Sequence, residues 1–255
     1  MDTAVIGNSP VKQISPSELL PLEENNSAAV PVGSGTYGDC ILKKFTRFGI
    51  TILEKKVPTS DLTAVMNEAQ CMNTLTHPAI PHLLGVQIDG KPYSLVMQFL
   101  GVGMESVTVH KLLHQDMAKH LLLSTNEWIS VLHDISEALF HVHQKGFLHC
   151  DVKSNNVLVS GKKGYLIDFG KACLIARPAA RKYTSFYNHI ASEVLRGRPV
   201  SMSSDVFSLG VIIYSVGKAL PHACLNSLGK QCKDTKPASR PSIPEVVRIL
   251  EGNLQ

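Results

Sequence analysis

Between residues 28 and 58 the chain alternates short apolar runs rich in Val, Ile and Thr with glycines, the punctuation of successive β-strands. SDLTAVMNEAQCMNTL (60–75) opens on a serine, holds no internal Gly or Pro and spaces its apolar residues at helical intervals. That pattern predicts a helix closed by HPAIP. HLLGVQIDGKPYSLVMQFL (82–100) reads as a hairpin, two apolar strands joined through DGKP. After GVG (101–103) the character turns helical, most clearly in NEWISVLHDISEALFHVHQKG (126–146), where Gly146 is placed to end the helix. Two short strands flank GKKG (161–164), and an irregular stretch follows from 170 to 200. SSDVFSLGVIIYSVGKAL (203–220) is apolar nearly all round, so it predicts a buried helix. Residues 1–24 are polar and broken by prolines, which predicts a tail or a strand leading into the fold. A small strand-rich half joined near 98–103 to a larger helical half is the expectation.

Composition narrows the class. At 255 residues the chain can hold one large domain or two lobes sharing a cleft. Its 44% apolar and 18% charged content is that of an ordinary globular protein. A net charge of +4, with dispersed basic residues, argues against a nucleic-acid partner. The longest apolar runs, such as LGVIIYSV (209–216), fall far short of the roughly 20 residues a membrane helix needs, so no membrane insertion is expected. The N-terminus lacks a basic start followed by a hydrophobic block. The six cysteines (40, 71, 150, 173, 224, 232) form no CxxC pair, which fits reduced thiols and a cytoplasmic location.

Candidate chemistry enters with GSGTYG (33–38), a G-x-G-x-x-G match. A dinucleotide-binding turn would need a helix directly after the third glycine, and strand-like DCILKKF follows instead. What is left is a glycine hairpin whose backbone N–H groups can approach a polyphosphate. Lys55, at the end of the apolar run ITIL, can place an ammonium group beneath it, and Glu68 on the expected helix can hold that lysine. In HCDVKSNNV (149–157), Asp151, Lys153 and Asn156 fall within six residues between a helix and an apolar strand. LIDFG (166–170) adds a second acid, Asp168, after another strand. Asp168 and Asn156 are hard oxygen ligands of the kind Mg2+ accepts, and Asp151 can accept the proton of an attacking hydroxyl.

These motifs, in this order, resemble a eukaryotic protein kinase domain from about residue 28 to the end. DVKSNN and the ending ASRPSIPEVVRILE resemble the tyrosine-kinase-like serine/threonine branch. The resemblance implies an α+β, bilobal protein kinase fold. A small antiparallel β-sheet lobe with one main helix (25–97) and a larger, mostly α-helical lobe (103–255) would join through a hinge (98–102), behind a tail of 1–24. It implies ATP and Mg2+ as cofactors, protein substrates and transfer of the γ-phosphoryl group to serine or threonine hydroxyls. By the same resemblance Asp151 is the base, Lys153 steadies the transferring group, and Lys55 holds the phosphates with Glu68 as its partner. Asn156 and Asp168 bind the metal. Val32, Gly33, Ser34, Gly35, Thr36, Tyr37, Gly38 and Cys40 cover the nucleotide, with Met97, Gln98, Leu100 and Leu158 around its base. Phe169, His149, Met72 and Leu83 match a stacked apolar spine anchored by Asp205.

Departures from the pattern bear on activity. Leu53 stands where a small residue lies over the adenine, and Glu54 puts an acid beside it. HIASE (189–193) replaces the usual APE ending, although Glu193 remains and can pair with Arg240. Phe186 occupies the place of a threonine that bonds the catalytic loop. Only 35 residues separate Asp205 from Arg240. Cys150 takes the place of an arginine that pairs with a phosphorylated activation-segment residue, and a thiol cannot make that contact. Tyr183, Thr184, Ser185 and Tyr187 are therefore not expected to switch activity through this loop. The rival to an enzyme is a kinase-fold module that binds nucleotide and partners without efficient catalysis.

Overall fold

The computed structural model describes residues 10–22, 31–35, 38–57, 61–114 and 123–254. They divide into two compact units. The first takes the described residues up to Thr76 with Pro81–Phe99 and Gly103–Glu105. The second takes His77–Ile80, Leu100–Val102 and the described residues from Ser106 on.

The first unit is a six-stranded antiparallel sheet carrying one helix. Its strands are β1 (Leu19–Pro21), β2 (Pro31–Gly35), β3 (Gly38–Phe45), β4 (Ile50–Lys56), β5 (Leu83–Gln87) and β6 (Ser94–Gln98). They run in the order β1-β3-β4-β6-β5, and β2 also pairs with β3. Helix α1 (Leu62–Thr74) packs on β5 and β6. Its first turn is capped by Asp61, whose carboxylate accepts from Thr63 N at 2.9 Å, one residue after the serine the sequence suggested.

The segment expected as a tail or a leading strand is joined to this sheet from Lys12 on. Ile14 N and Val86 N bond to Val86 O and Lys12 O, each at 2.8 Å, and β1 pairs residue for residue with the end of β3. Ile14, Leu19, Phe45, Ile52 and Val96 then form a buried cluster on one face of the sheet. Burying that many branched and aromatic side chains is worth several kcal/mol, about 1.5–3 for each. The N-terminal segment is thus part of the unit's core.

The second unit is mostly helical: α2 (Val109–His114), α3 (Thr125–Gln144), α4 (Ser192–Leu195), α5 (Met202–Ala219), α6 (Ala223–Cys232) and α7 (Ile243–Glu251). Ser124 and Glu127 close a capping box at the start of α3, and Gly146, at φ 82°, turns the chain out of it. Short strands β7 (Val107–Thr108), β9 (Val157–Ser160) and β10 (Lys163–Leu166) form one small sheet. β8 (Phe147–Leu148) and β11 (Cys173–Leu174) form another. The loop 149–156 is therefore held between β8 and β9, and residues 168–170 follow β10. No helix among the described residues is long and apolar enough to cross a membrane.

The short interval from Asp205 to Arg240 holds α5, α6 and a single 3-10 turn at 237–239. The two helices approach closely enough that only glycine fits at the contacts. A Cβ on Gly229 would lie 2.6 Å from Tyr214 N, and one on Gly210 would lie 2.4 Å from the Cys232 Cβ. Alanine would gain about 1 kcal/mol of helix propensity at Gly229 but forces the α5 backbone to move. Gly229→Ala is expected to destabilise the fold by about 1–3 kcal/mol in a denaturant titration. Gly90→Ala, where a Cβ meets nothing within 4 Å, is expected to leave the midpoint in place.

Candidate active site

In the first unit, strand alternation sends Leu53 and Lys55 to one face of β4 and Ile52, Glu54 and Lys56 to the other. Lys55, buried at 7% exposure, donates to the Glu68 carboxylate of α1 at 2.8 Å. The helix start set by Asp61 gives α1 the register that turns Glu68 inward with Val65, Ala69 and Met72. Glu54 does not sit beside this pair. On the opposite face it accepts from Ser94 Oγ at 2.8 Å and pairs with Lys43 at 2.9 Å. The glycines of β2 and β3 meet as a hairpin, with Gly35 opposite Gly38 and Gly33 opposite Cys40, while Thr36 and Tyr37 lie outside the described residues. Val32 and Ser34 belong to β2. Met97 and Gln98 end β6, Met97 buried and Gln98 exposed.

In the second unit the loop 149–156 is organised from below by Asp205, in the first turn of α5. Its carboxylate is 1% exposed and accepts the backbone N–H groups of His149 and Cys150, each at 2.9 Å. His143 Nε2 meets the same carboxylate at 2.9 Å. His149 takes Asp151 N–H on Nδ1 at 3.3 Å and faces Ile167 O through Nε2 at 3.2 Å. Full burial lowers its pKa and keeps it neutral, in the tautomer those two contacts require. Its ring lies 4.8 Å from that of Phe169, so two of the expected spine residues touch.

Asp151 is 1% exposed, and its carboxylate is surrounded by donors. Lys153 Nζ and Asn156 Nδ2 reach Oδ2 at 2.9 and 3.1 Å. Lys171 Nζ reaches Oδ1 at 2.9 Å, and His189 Nε2 lies 3.5 Å from the same oxygen. Burial pushes the Asp151 pKa up, but the hydrogen bonds from His189, Lys171 and Lys153 outweigh it and hold the carboxyl well below the usual carboxylate range. Asn156 also donates to Asp151 O at 2.9 Å, so its amide nitrogen is committed inward. Asp168 follows β10 with a left-handed φ of 68°, which Asp tolerates better than most residues. Among the described residues no cluster of three or more His, Cys, Asp or Glu forms a protein-only metal cage. Two hard oxygens from Asn156 and Asp168 fit Mg2+, which takes the rest of its ligands from phosphates and water. Leu158 is buried on β9, and Leu100 is buried with its carbonyl accepting from Ser106 Oγ at 2.7 Å.

Glu193 and Arg240 make the expected pair, bidentate at 2.6 and 2.9 Å. Burial raises the Glu193 pKa, and the Arg240 hydrogen bonds outweigh that and bring it down. Phe186 is 77% exposed and cannot stand in for a threonine, and it is His189 from the same segment that reaches Asp151. Lys171 and His189 were not foreseen from the sequence. The position of Lys171 directly after LIDFG was the one available signal for it, and His189 carried none.

A family model described as the protein kinase domain matches residues 27–236, more than half of the chain. The chain is similar to the serine/threonine-protein kinase CTR1 of Arabidopsis thaliana, 25% identical over 87% of this chain and 28% of that protein. It is similar to the serine/threonine/tyrosine-protein kinase HT1 of the same plant, 23% identical over 72% of this chain and 53% of that protein. Against the serine/threonine-protein kinase Nek8 of Danio rerio it is 26% identical over 72% of this chain and 27% of that protein. The chain therefore spans between about a quarter and about half the length of these curated relatives.

The depressed Asp151 pKa has a measurable sign. Its stabilising contacts are fully present above the unfolded carboxyl value of about 4 and are lost as pH falls below it toward the folded value. Denaturant midpoints at neutral and acidic pH are expected to fall less steeply with acid in Asp151→Asn than in the wild type.

Proposed function

We propose that this chain, which belongs to the protein kinase domain family, transfers the γ-phosphoryl group of ATP to serine or threonine hydroxyls of protein substrates. The observation that carries the reading is the Asp151 carboxylate, buried yet held ionised between Lys153, Lys171 and Asn156. A buried carboxylate kept charged can take a proton from a hydroxyl brought to it. Of its four neighbours His189 is the most distant, at 3.5 Å, so it is the contact an incoming hydroxyl displaces most readily. Lys153 and Lys171 place positive charge where the transferring phosphoryl group gathers negative charge, the electrostatic contribution that dominates such transfers. Asn156 and Asp168 would hold Mg2+, which supplies charge neutralisation on the phosphates. Lys55, oriented by Glu68, binds the nucleotide phosphates beneath the glycine hairpin of β2 and β3. Leu53 lies on the Lys55 face of β4 and adds apolar surface where a smaller residue would leave room.

The serine/threonine preference is supported by the names of the relatives and by the DVKSNN loop. No phosphate is needed to dock the activation segment. Ile190, Ala191, Val194 and Val200 pack with Leu148 and Cys150 into a buried apolar cluster that Tyr183 and Phe207 join.

Radiolabelled ATP with a generic protein substrate is expected to give label transfer that Asp151→Asn lowers by about 100-fold or more. Label transfer that survives the substitution removes the assignment of Asp151. Ala and Asp substitutions at Thr184, Ser185 and Tyr187 are expected to change turnover by no more than about twofold, since no arginine stands at position 150 to receive a phosphate. A large gain with the Asp variants would show that another cation reads the phosphate.

A further inference from the structure

Cys150 and Cys173 are far apart in sequence but adjacent in space. Cys150 sits in the loop 149–156, and Cys173 opens β11, where it stands opposite Leu148 of β8. The bond from Cys150 N to Asp205 holds Cys150 at a left-handed φ of 66°, and its sulfur lies 3.6 Å from that of Cys173. Both thiols are free; Cys150 is buried and Cys173 is partly open to solvent. We propose that Cys150 and Cys173 form a reversible disulfide, a modification site that ties the activation segment to the catalytic loop when a hydroperoxide is present.

The two sulfurs have unequal roles. The two thiols share one hydrogen bond, and that contact, with the Ala179 backbone N–H and the Arg181 guanidinium, shifts the Cys173 thiol down. The same hydrogen bond, with burial, shifts Cys150 up. The more acidic and more accessible sulfur attacks first. The Cys173 thiolate attacks an oxygen of the hydroperoxide; the O–O bond breaks, an S–O bond forms, and the alkoxide or hydroxide that leaves takes a proton from solvent. The Cys150 sulfur then attacks the Cys173 sulfenic acid. The S–O bond breaks, the S–S bond forms, and hydroxide leaves as water with the Cys150 proton. The two thiols lose two electrons and the peroxide gains them. The sulfurs must close from contact at 3.6 Å to a bond of about 2.05 Å, a movement within reach of side-chain torsions.

The site lies where the phosphate-reading arginine would stand, and its neighbours show how the change is used. Cys173 is two residues from Lys171, which donates to Asp151, and Cys150 is next to Asp151. A bond between them fixes the backbone that carries both Lys171 and the base.

The test is peptide mapping by mass spectrometry of the full chain after brief treatment with hydrogen peroxide, and it does not require the protein to transfer phosphate. The expected result is a Cys150–Cys173 cross-linked peptide, lighter by two hydrogens, that disappears with dithiothreitol. Cys150→Ser should leave a sulfenic acid on Cys173 that dimedone captures in higher yield than in the wild type. Cys173→Ser should yield neither cross-link nor adduct at Cys150. A wild-type map in which these thiols stay reduced, pair with other cysteines or go directly to sulfinic acid overturns the proposal. So does a Cys150→Ser chain whose dimedone adduct is no greater than that of the wild type.

Discussion

The Asp205 carboxylate is the contact on which the 149–156 loop of the second unit rests. It is removed from water, and a carboxylate in that position is tolerated only if its oxygens are taken up. Here the N–H groups of His149 and Cys150 and the ring of His143 take them up, each at 2.9 Å. Bonds to a charged acceptor contribute about 1.5–3 kcal/mol apiece. That is enough to sustain the left-handed backbone at Cys150, which for a residue with a side chain costs about 1–2 kcal/mol. The position of Asp205 in the first turn of α5 also favours its charge, because the partial positive end of the helix lies there.

From that fixed turn two consecutive residues enter opposite environments. Asp151 goes into a nest of cationic and amide donors, and Cys150 goes into a cluster of Leu148, Ile190, Ala191, Val194 and Val200. The charged side gathers donors around Asp151; the apolar side packs residues 190–200 against Leu148 and Cys150. An arginine at position 150 would need a counter-charge in that cluster, and the thiol needs none. The docking is therefore hydrophobic and insensitive to salt, where an arginine–phosphate lock would be electrostatic. Thr184, Ser185 and Tyr187 are left exposed on the outside of the segment, away from this contact.

What could be read from the sequence follows the range of the interactions. Asp151, Lys153 and Asn156 were legible because one short loop between a helix and a strand brings them together. Lys55 and Glu68 were legible because strand alternation and helical spacing each leave one inward choice. Lys171 and His189 reach Asp151 across 20 and 38 residues, and no local periodicity reports such a meeting. The meeting of Cys150 with Cys173 depends on the pairing of β8 with β11, two strands of two residues each, too short to leave an alternating pattern. β1 was left open between a tail and a strand for a similar reason: three residues with a proline carry no alternating pattern, and it is β3 that supplies the partner.

Glu54 shows how much one strand's parity decides. In sequence it stands next to Lys55 and puts an acid near a usual core position. Successive residues of β4 face opposite ways, so the carboxylate lies on the face of the sheet opposite Lys55, 5% exposed. There Oε1 accepts from Ser94 Oγ at 2.8 Å and Oε2 has the Lys43 ammonium group 2.9 Å away as counter-charge, which offsets part of the desolvation. Lys43, at 23% side-chain exposure, carries its charge to the edge of that face, so the pair keeps contact with water where a fully buried one would not. An acid held in this way adds no negative charge to the Lys55–Glu68 pair's side of the strand beyond what passes through the sheet. The departure that remains on the Lys55 face is Leu53, a question of volume. Its apolar volume alters the surface of that face and leaves the Lys55 ammonium group where Glu68 holds it, at 2.8 Å.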